Sequence, residues 1–446
     1  PEMQYMLKRR EALGGYLPAR RDDFPALDIP SLDAFKAQLQ GSGERAISTT
    51  MAFVRMLSAL VKDKAIGERV VPIVPDEART FGMEGMFRQL GIYSSQGQRY
   101  VPHDHDQVMF YKEDEKGQIL EEGINEAGAM SAWIATATSY STHNYAMVPF
   151  YIYYSMFGFQ RVMDLIWAAG DSQARGFLVG GTAGRTTLNG EGLQHQDGHS
   201  HLMAQMVPNC RSYDPTYAYE LAVIIQDGLK RMYQDKENCF YYLTVMNENY
   251  QQPPMPEGVE EGIIRGMYLL ESVAPAKKSK QQLTVQLMGS GTILREVRAA
   301  AELLRDEFGI ASDVWSAPSM NELRRDGLQC ERLNLLHPEA EPRKPYVTQQ
   351  LEGREGPVVA ATDYMKSYSE QIRPYVPQRF VALGTDGYGR SDTRAKLRHH
   401  FEVDRYFITV AALKALADDG KFPKKDVTRA IEKFGIDPDK TNPLTA

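Results

Sequence analysis

Glu126 is the side chain around which chemistry can be built. It sits in Ile119-Leu120-Glu121-Glu122-Gly123-Ile124-Asn125-Glu126-Ala127-Gly128-Ala129, a short apolar run, a glycine and then small residues around one acid. Asparagine before the acid marks a helix start, so the pattern places a carboxylate at a helix opening. Small neighbours let a second surface or a flat ligand approach closely. Further on comes Pro149-Phe150-Tyr151-Ile152-Tyr153-Tyr154-Ser155-Met156-Phe157-Gly158-Phe159, an apolar strand delivering aromatic side chains to a turn. A buried acid beside an aromatic shelf can bind a flat heterocycle and move its proton. The aromatics also fit plain strand core, where such residues usually just pack.

A second dense block is Gly190-Glu191-Gly192-Leu193-Gln194-His195-Gln196-Asp197-Gly198-His199-Ser200-His201, with three histidines and two acids. It reads first as a polar active-site loop. Histidine there serves as acid or base near neutral pH, and the glycines bring backbone close to a substrate. A divalent metal held by His195, Asp197, His199 and His201 is an alternative, although the spacing matches neither a helical HExxH nor a finger pattern. A structural loop is a third. Arg185, just upstream, offers positive charge. Gly289-Ser290-Gly291-Thr292 follows a strand and opens a helix, so its N–H groups can face an anion. It lacks the dinucleotide fingerprint and the phosphate-loop lysine, and reads mainly as a tight turn. No nucleophile-elbow spacing accompanies it.

The elements that must carry these groups follow from periodicity. A helix is expected over 48–61, a buried strand over 69–74, and a hairpin from 107–112 and 118–122 across the turn 113–117. A helix from Asn125 to Ala137, a strand from Met147 to Tyr153, a helix over 160–169 and a strand over 176–181 come next. Asp214-Pro215 reads as an N-cap with proline at the first helical position, opening a helix to about Met232. Phe240–Val245 is another strand. Strands alternating with helices imply a parallel sheet buried on both faces. The proline-rich run at 251–256 and the charged turn Lys277-Lys278-Ser279-Lys280 bracket a boundary. A βαβ module then starts: strand 283–288, helix 294–308, strand 312–316, continued by 357–361, 379–383 and a helix over 393–401. The organisation is a lead-in over 1–45, a first α/β domain over 46–255, a linker over 256–282 and a second α/β domain over 283–446.

Composition sets outer limits. The 446 residues suffice for two or three full cores, and a net charge of −7 argues against a dedicated nucleic-acid binder. No apolar run reaches the roughly 20 residues of a membrane span. Three widely spaced cysteines fit free thiols in a reducing compartment, and a cytoplasmic protein is expected. The chain opens on Pro1 rather than methionine, which reads as a fragment or processed product.

Long strings carry a family resemblance: Pro75 through Gly85, Phe150 through Gln160, Gly180 through His201, and Leu383-Gly384-Thr385-Asp386-Gly387-Tyr388-Gly389-Arg390-Ser391-Asp392. Together they resemble the homodimeric bacterial type of the decarboxylating component of pyruvate dehydrogenase, a transketolase-like enzyme dependent on thiamine diphosphate. The resemblance implies the second (pyrimidine-binding) and C-terminal α/β domains of that family, the first with a parallel sheet and the second with a mostly parallel, mixed one. It implies that Glu126 hydrogen-bonds the pyrimidine ring nitrogen and so sets the tautomer whose imino group takes the thiazolium proton. Burial in an aromatic site is expected to raise the pKa of that acid. Phe157 resembles the stacking aromatic. Tyr154 and Glu191 resemble residues near the substrate carboxylate, where a glutamate must be protonated. His195 resembles a polar active-site histidine, and Glu77 and Asp104 match positions close to the cofactor. The family's Mg²⁺ signature, Gly-Asp-Gly followed by asparagine, has no match: Gly170-Asp171-Ser172 and Thr385-Asp386-Gly387 do not fit. Mg²⁺ ligands are therefore expected in a first domain outside this chain, with none within it. The implied reaction decarboxylates pyruvate and passes the two-carbon unit to the lipoyl group of dihydrolipoyl acetyltransferase, at a site shared by two subunits. A dimer-forming scaffold without activity is the competing reading. Transketolase itself would need basic phosphate contacts at the site entrance.

Overall fold

A computed structural model describes residues 1–12, 14–15, 21–75, 78–275 and 282–446. Glu77 and the charged turn at 277–280 lie outside the described residues. The chain builds two layered α/β units in tandem. The first sheet has six strands, in the order Leu120–Glu121, Val70–Val74, Val148–Tyr154, Phe177–Gly181, Phe240–Thr244 and Cys210–Tyr213. Every pairing in it is parallel, from Val70 opposite Val148 through Tyr213 opposite Leu243. All residues of Val70–Val74, Phe177–Gly181 and Phe240–Thr244 are buried, as the near-continuous apolar runs require of a sheet covered on both faces. Helices Thr49–Leu60 and Ala218–Leu229 pack on one another, and Glu126–Ala137 pairs with Phe159–Asp171. Aromatic rings fill the layer: Phe150 stacks on Phe177 at 4.6 Å, and Trp133 Nε1 donates to the Phe177 carbonyl at 3.1 Å.

The second sheet runs Tyr268–Val273, Ala311–Ser316, Thr284–Gly289, Val358–Ala361 and Phe380–Leu383. Its first strand is antiparallel and the rest are parallel, a mixed sheet. That antiparallel edge lies inside the stretch read as a linker from its prolines and charges. The run Tyr268-Leu269-Leu270 supplies the β character that composition averaged away. Helices Ile293–Phe308 and Arg405–Asp418 cover the sheet.

Two local expectations differ from the structure. The turn at 113–117 forms, with Gly117 N–H donating to the Asp114 carbonyl at 2.9 Å, but its arms do not pair. Glu113–Asp114 runs parallel to Ile92–Tyr93, and Leu120–Glu121 runs parallel to Ile73–Val74. The Gln118 amide explains the choice: it donates to the carbonyls of Gly67 and Val70, both at 2.6 Å, and pins this strand to the sheet edge. Nor does Asp214 cap a helix. The helix starts at Ala218 behind Tyr217, and Glu220 takes the cap by accepting from the N–H groups of Thr216 and Tyr217 at 2.6 and 3.0 Å. Asp214 turns into the boundary between the sheets instead. No helix among the described residues is long and apolar enough to cross a membrane.

Candidate active site

The carboxyl ends of the first sheet's parallel strands carry the candidate residues, as open α/β sheets generally arrange them. Glu126 is the first residue of its helix. Asn125 caps that helix through Oδ1, which accepts from Gly128 N–H at 3.0 Å. Gly128 is small for a local reason: a Cβ there would stand 2.6 Å from the Asn125 side-chain nitrogen. The Glu126 side chain is 13% exposed, and its Oε1 accepts from Arg161 Nη1 at 2.9 Å. Tyr151 OH reaches the Glu126 carbonyl at 3.4 Å. Burial pushes the Tyr151 phenol well above its usual range, and the Glu126 charge adds to the shift.

The strand Val148–Tyr154 ends in a 3₁₀ turn, Ser155–Phe157, before the helix at Phe159. This turn presents Phe157 and Tyr154 edge-on to one another at 6.1 Å. His195 sits against both, 4.9 Å from Phe157 and 5.3 Å from Tyr154. Its Nδ1 is 3.5 Å from Glu191 Oε1. Phe81 backs Tyr154 at 5.4 Å and lies so close to Gly181 that a Cβ there would collide with its ring. The Arg161 guanidinium covers the Phe157 ring at 4.1 Å and so joins the aromatic turn to Glu126. Five predicted residues, Glu126, Phe157, Tyr154, His195 and Glu191, thus form one chain of contacts. Asp104 lines a cavity of about 460 Å³ with Arg79, Phe87, Tyr100, His103, Tyr111 and Glu121. There it accepts from the Arg79 guanidinium and, at 3.0 Å, from Tyr111 N–H.

The loop bearing Glu191 and His195 is fixed from inside and from the second unit. Asp197 is fully buried and accepts from the N–H groups of His199 and Ser200 at 3.0 and 2.9 Å, from the Ser200 hydroxyl, and from Gln160 Nε2 at 3.4 Å. His201 is also buried. Its Nε2 meets Thr244 Oγ1 at 3.0 Å, its ring stacks on Tyr368 at 5.1 Å, and burial pushes its pKa down to about 4, which keeps it neutral. His201 is thus packed into the core, whereas His195 and His199 are half-buried. Among the described residues no group of three or more His, Cys, Asp or Glu side chains is placed to hold a metal ion. Arg185 is likewise buried, and its Nη1 donates to the carbonyls of Gly387 (2.6 Å) and Thr385. Desolvation lowers its pKa, and its charge serves the loop rather than the open site. Further links from the second unit are Gly190 N–H to the Asp392 carbonyl at 3.1 Å, Arg390 N–H to Gln196 Oε1 at 2.7 Å, and Arg394 Nε to the Thr187 carbonyl at 2.7 Å. The glycine-serine-glycine turn joins the same boundary: Ser290 Oγ donates to Asp214 Oδ2.

Sequence reasoning missed Arg161 and Tyr151. Arg161 lies four positions after Phe157, close to one helical turn, a spacing that signals a shared face. Tyr151 alternates with Tyr153 along one strand face, and periodicity alone does not say which phenol reaches the helix start.

Residues 27–253 match the family model described as "Pyruvate dehydrogenase E1 component middle domain", and residues 266–404 match the "Transketolase-like TK C-terminal domain". The chain is 67% identical to the pyruvate dehydrogenase E1 component of Pseudomonas aeruginosa over 99% of its own length and 50% of that protein's. It is 59% identical to that of Escherichia coli strain K12 over 100% of its length and 50% of that protein's. The chain therefore spans about half the length of the curated relatives it matches. Among solved structures, transketolase from Campylobacter jejuni aligns with a TM-score of 0.61 at 15% identity, covering 86% of this chain and 49% of that one. Transketolase from Leishmania mexicana aligns with a TM-score of 0.61 at 17% identity, covering 88% and 50%. These two likenesses describe the fold.

Proposed function

This chain belongs to the pyruvate dehydrogenase E1 component family, and from that membership we propose that it forms the pyrimidine-binding half of a thiamine-diphosphate site for the oxidative decarboxylation of pyruvate, with transfer of the acetyl unit to the lipoyl group of dihydrolipoyl acetyltransferase. The observation that carries the reading is the contact chain from Glu126 through Arg161 to Phe157, Tyr154 and His195. A carboxyl, a planar aromatic face and an imidazole lie within reach of one flat heterocycle. The pyrimidine end of the cofactor fits these residues. We assign its diphosphate and Mg²⁺ to the part of the relatives that this chain does not cover.

When bound, thiamine diphosphate supplies the nucleophilic carbon and the electron sink. Glu126 shares a proton with the pyrimidine ring nitrogen, and the low dielectric of the aromatic turn strengthens that hydrogen bond. Phe157 offers its ring for stacking, worth about 0.5–1.5 kcal/mol beyond burial. Tyr154 and Glu191 face the substrate carboxylate, and His195 between them exchanges a proton with the substrate. Asp104 is assigned to the cofactor's edge, and the family resemblance gives Glu77 a cofactor role as well. Ile124, at 74% exposure, and Trp167, at 51%, stand beside the helix start and on the neighbouring helix. A second copy of the chain would cover them in a homodimer.

Glu126→Gln in the full-length enzyme tests the reading. Pyruvate decarboxylation falls by roughly 10²–10⁴-fold, the usual worth of a positioned proton donor or acceptor, while the unfolding midpoint holds. Native turnover in that variant removes Glu126 from the mechanism and the proposal with it.

A further inference from the structure

One guanidinium touches both groups to which the preceding reading assigns a single flat ring. Arg161 Nη1 donates to Glu126 Oε1 at 2.9 Å, and its guanidinium carbon lies 4.1 Å from the centroid of Phe157. The contact is assembled from two helices. Arg161 stands in the first turn of Phe159–Asp171, Glu126 opens Glu126–Ala137, and the two helices pack together. Arg161 is 50% exposed, so its ion pair adds little to stability. Its geometry is nonetheless specific. A planar, delocalised cation can stack on a ring and donate in its own plane at once, which an ammonium cannot do. The contact uses one carboxylate oxygen and one ring face. Among the described residues Glu126 Oε2 has no hydrogen-bond partner, and Phe157 is only half-buried, with His195 edge-on to its ring at 4.9 Å.

We propose that Arg161 is a positioning residue for the cofactor's pyrimidine: it fixes the Glu126 carboxyl relative to the half-buried Phe157 ring so that Oε2 and that ring meet one planar heterocycle. The inference rests on the thiamine-diphosphate reading and goes beyond it by adding a residue that no contact with the substrate requires. A carboxylate paired with a guanidinium is an acceptor only. Glu126 held this way takes its hydrogen bond from an N–H on the ring, and the shared proton lies toward the ring nitrogen. Charge and planarity then have separate effects. The charge sets where the proton sits, and the plane sets how well the acid and the aromatic are aligned.

The test uses the full-length enzyme with Mg²⁺ and thiamine diphosphate labelled with ¹⁵N in the pyrimidine ring. Arg161→Met keeps the aliphatic stem and removes both charge and plane; Arg161→Lys returns the charge alone. With Arg161→Met the Kd for thiamine diphosphate rises tenfold or more, and the ¹⁵N resonance of the ring nitrogen moves toward its unprotonated position. Arg161→Lys restores the resonance but not the affinity. A mere scaffold role would leave the resonance where it is. Unchanged affinity and resonance in Arg161→Met overturn the inference. Tighter binding in that variant also overturns it, because the guanidinium would then be occupying the place the ring must take. Failure of the native enzyme to bind thiamine diphosphate is a different result: it removes the underlying reading, whereas native binding with an indifferent Arg161→Met removes this inference alone.

Discussion

Ser290 and Asp214 each directly follow a strand of a different sheet, and the Ser290 hydroxyl donates to Asp214 Oδ2 at 2.7 Å across the boundary between the sheets. Thr244 and Tyr364 donate to the other oxygen at 2.7 and 3.2 Å. Burial raises the Asp214 carboxyl to about 7, the nearby Asp363 charge adds to the rise, and the hydroxyl donors oppose it. The native chain therefore binds more protons than the unfolded one between about 4 and 7, and Asp214's contribution to stability is lost as pH rises through that window. His201 acts in the opposite sense. Burial holds it down to about 4, so its contribution is lost as pH falls from its ordinary 6.5 toward that value. Asp214→Asn isolates the first effect. The stability of the native chain relative to that variant drops by roughly 1–4 kcal/mol across the window, measured by denaturant unfolding at a series of pH values. A pH-independent difference rejects the assignment.

Arg185→Met deletes the donor shared by the buried carbonyl of Thr385 and the half-buried carbonyl of Gly387. Unpaired acceptors of this kind cost about 1–3 kcal/mol. The expected outcome is that loss in unfolding experiments, together with faster proteolytic cutting near residue 387. Native resistance to protease would show that the loop does not depend on the guanidinium.

Gly158 turns the chain beside the Tyr153 ring, and a Cβ there would collide with that ring. Gly158→Ala overpacks the turn at a cost of about 1–3 kcal/mol. It also shifts Phe157 relative to Glu126, so kcat/KM for pyruvate falls in the full-length enzyme even below the melting transition. A variant that melts earlier but turns over normally would separate packing from function.

Cys210, Cys239 and Cys330 are free and buried. Burial pushes all three thiols up, Cys239 to about 11. The native chain is expected to react only slowly with a thiol reagent at mildly alkaline pH and to release three equivalents once unfolded. Rapid native labelling would contradict this burial.

Much of the fold was legible because its strands are buried on both faces. Runs such as Phe177-Leu178-Val179 leave little choice but a covered parallel sheet. The hairpin was misread because local turn chemistry at 113–117 is real while the pairing partner is chosen by the bonds of the Gln118 amide to Gly67 and Val70, remote in sequence. Asp214-Pro215 carried a cap signature, and the tertiary demand of Ser290 and Tyr364 outweighed it. At the site, Glu126 and Phe157 stood out by residue type and position. Their link through Arg161 did not, since arginines on helix surfaces are common and only the packing of two helices shows which one folds back over a ring.

The loop bearing Glu191 and His195 is stitched by Asp392, Arg390 and Arg394 of the C-terminal unit. The two units are consequently poor candidates for independent inheritance. A chimera joined near residue 255 from two distant relatives would bring together a loop and a clasp that never evolved in each other's presence, so recombination within this family should favour crossovers that keep both stretches from one parent.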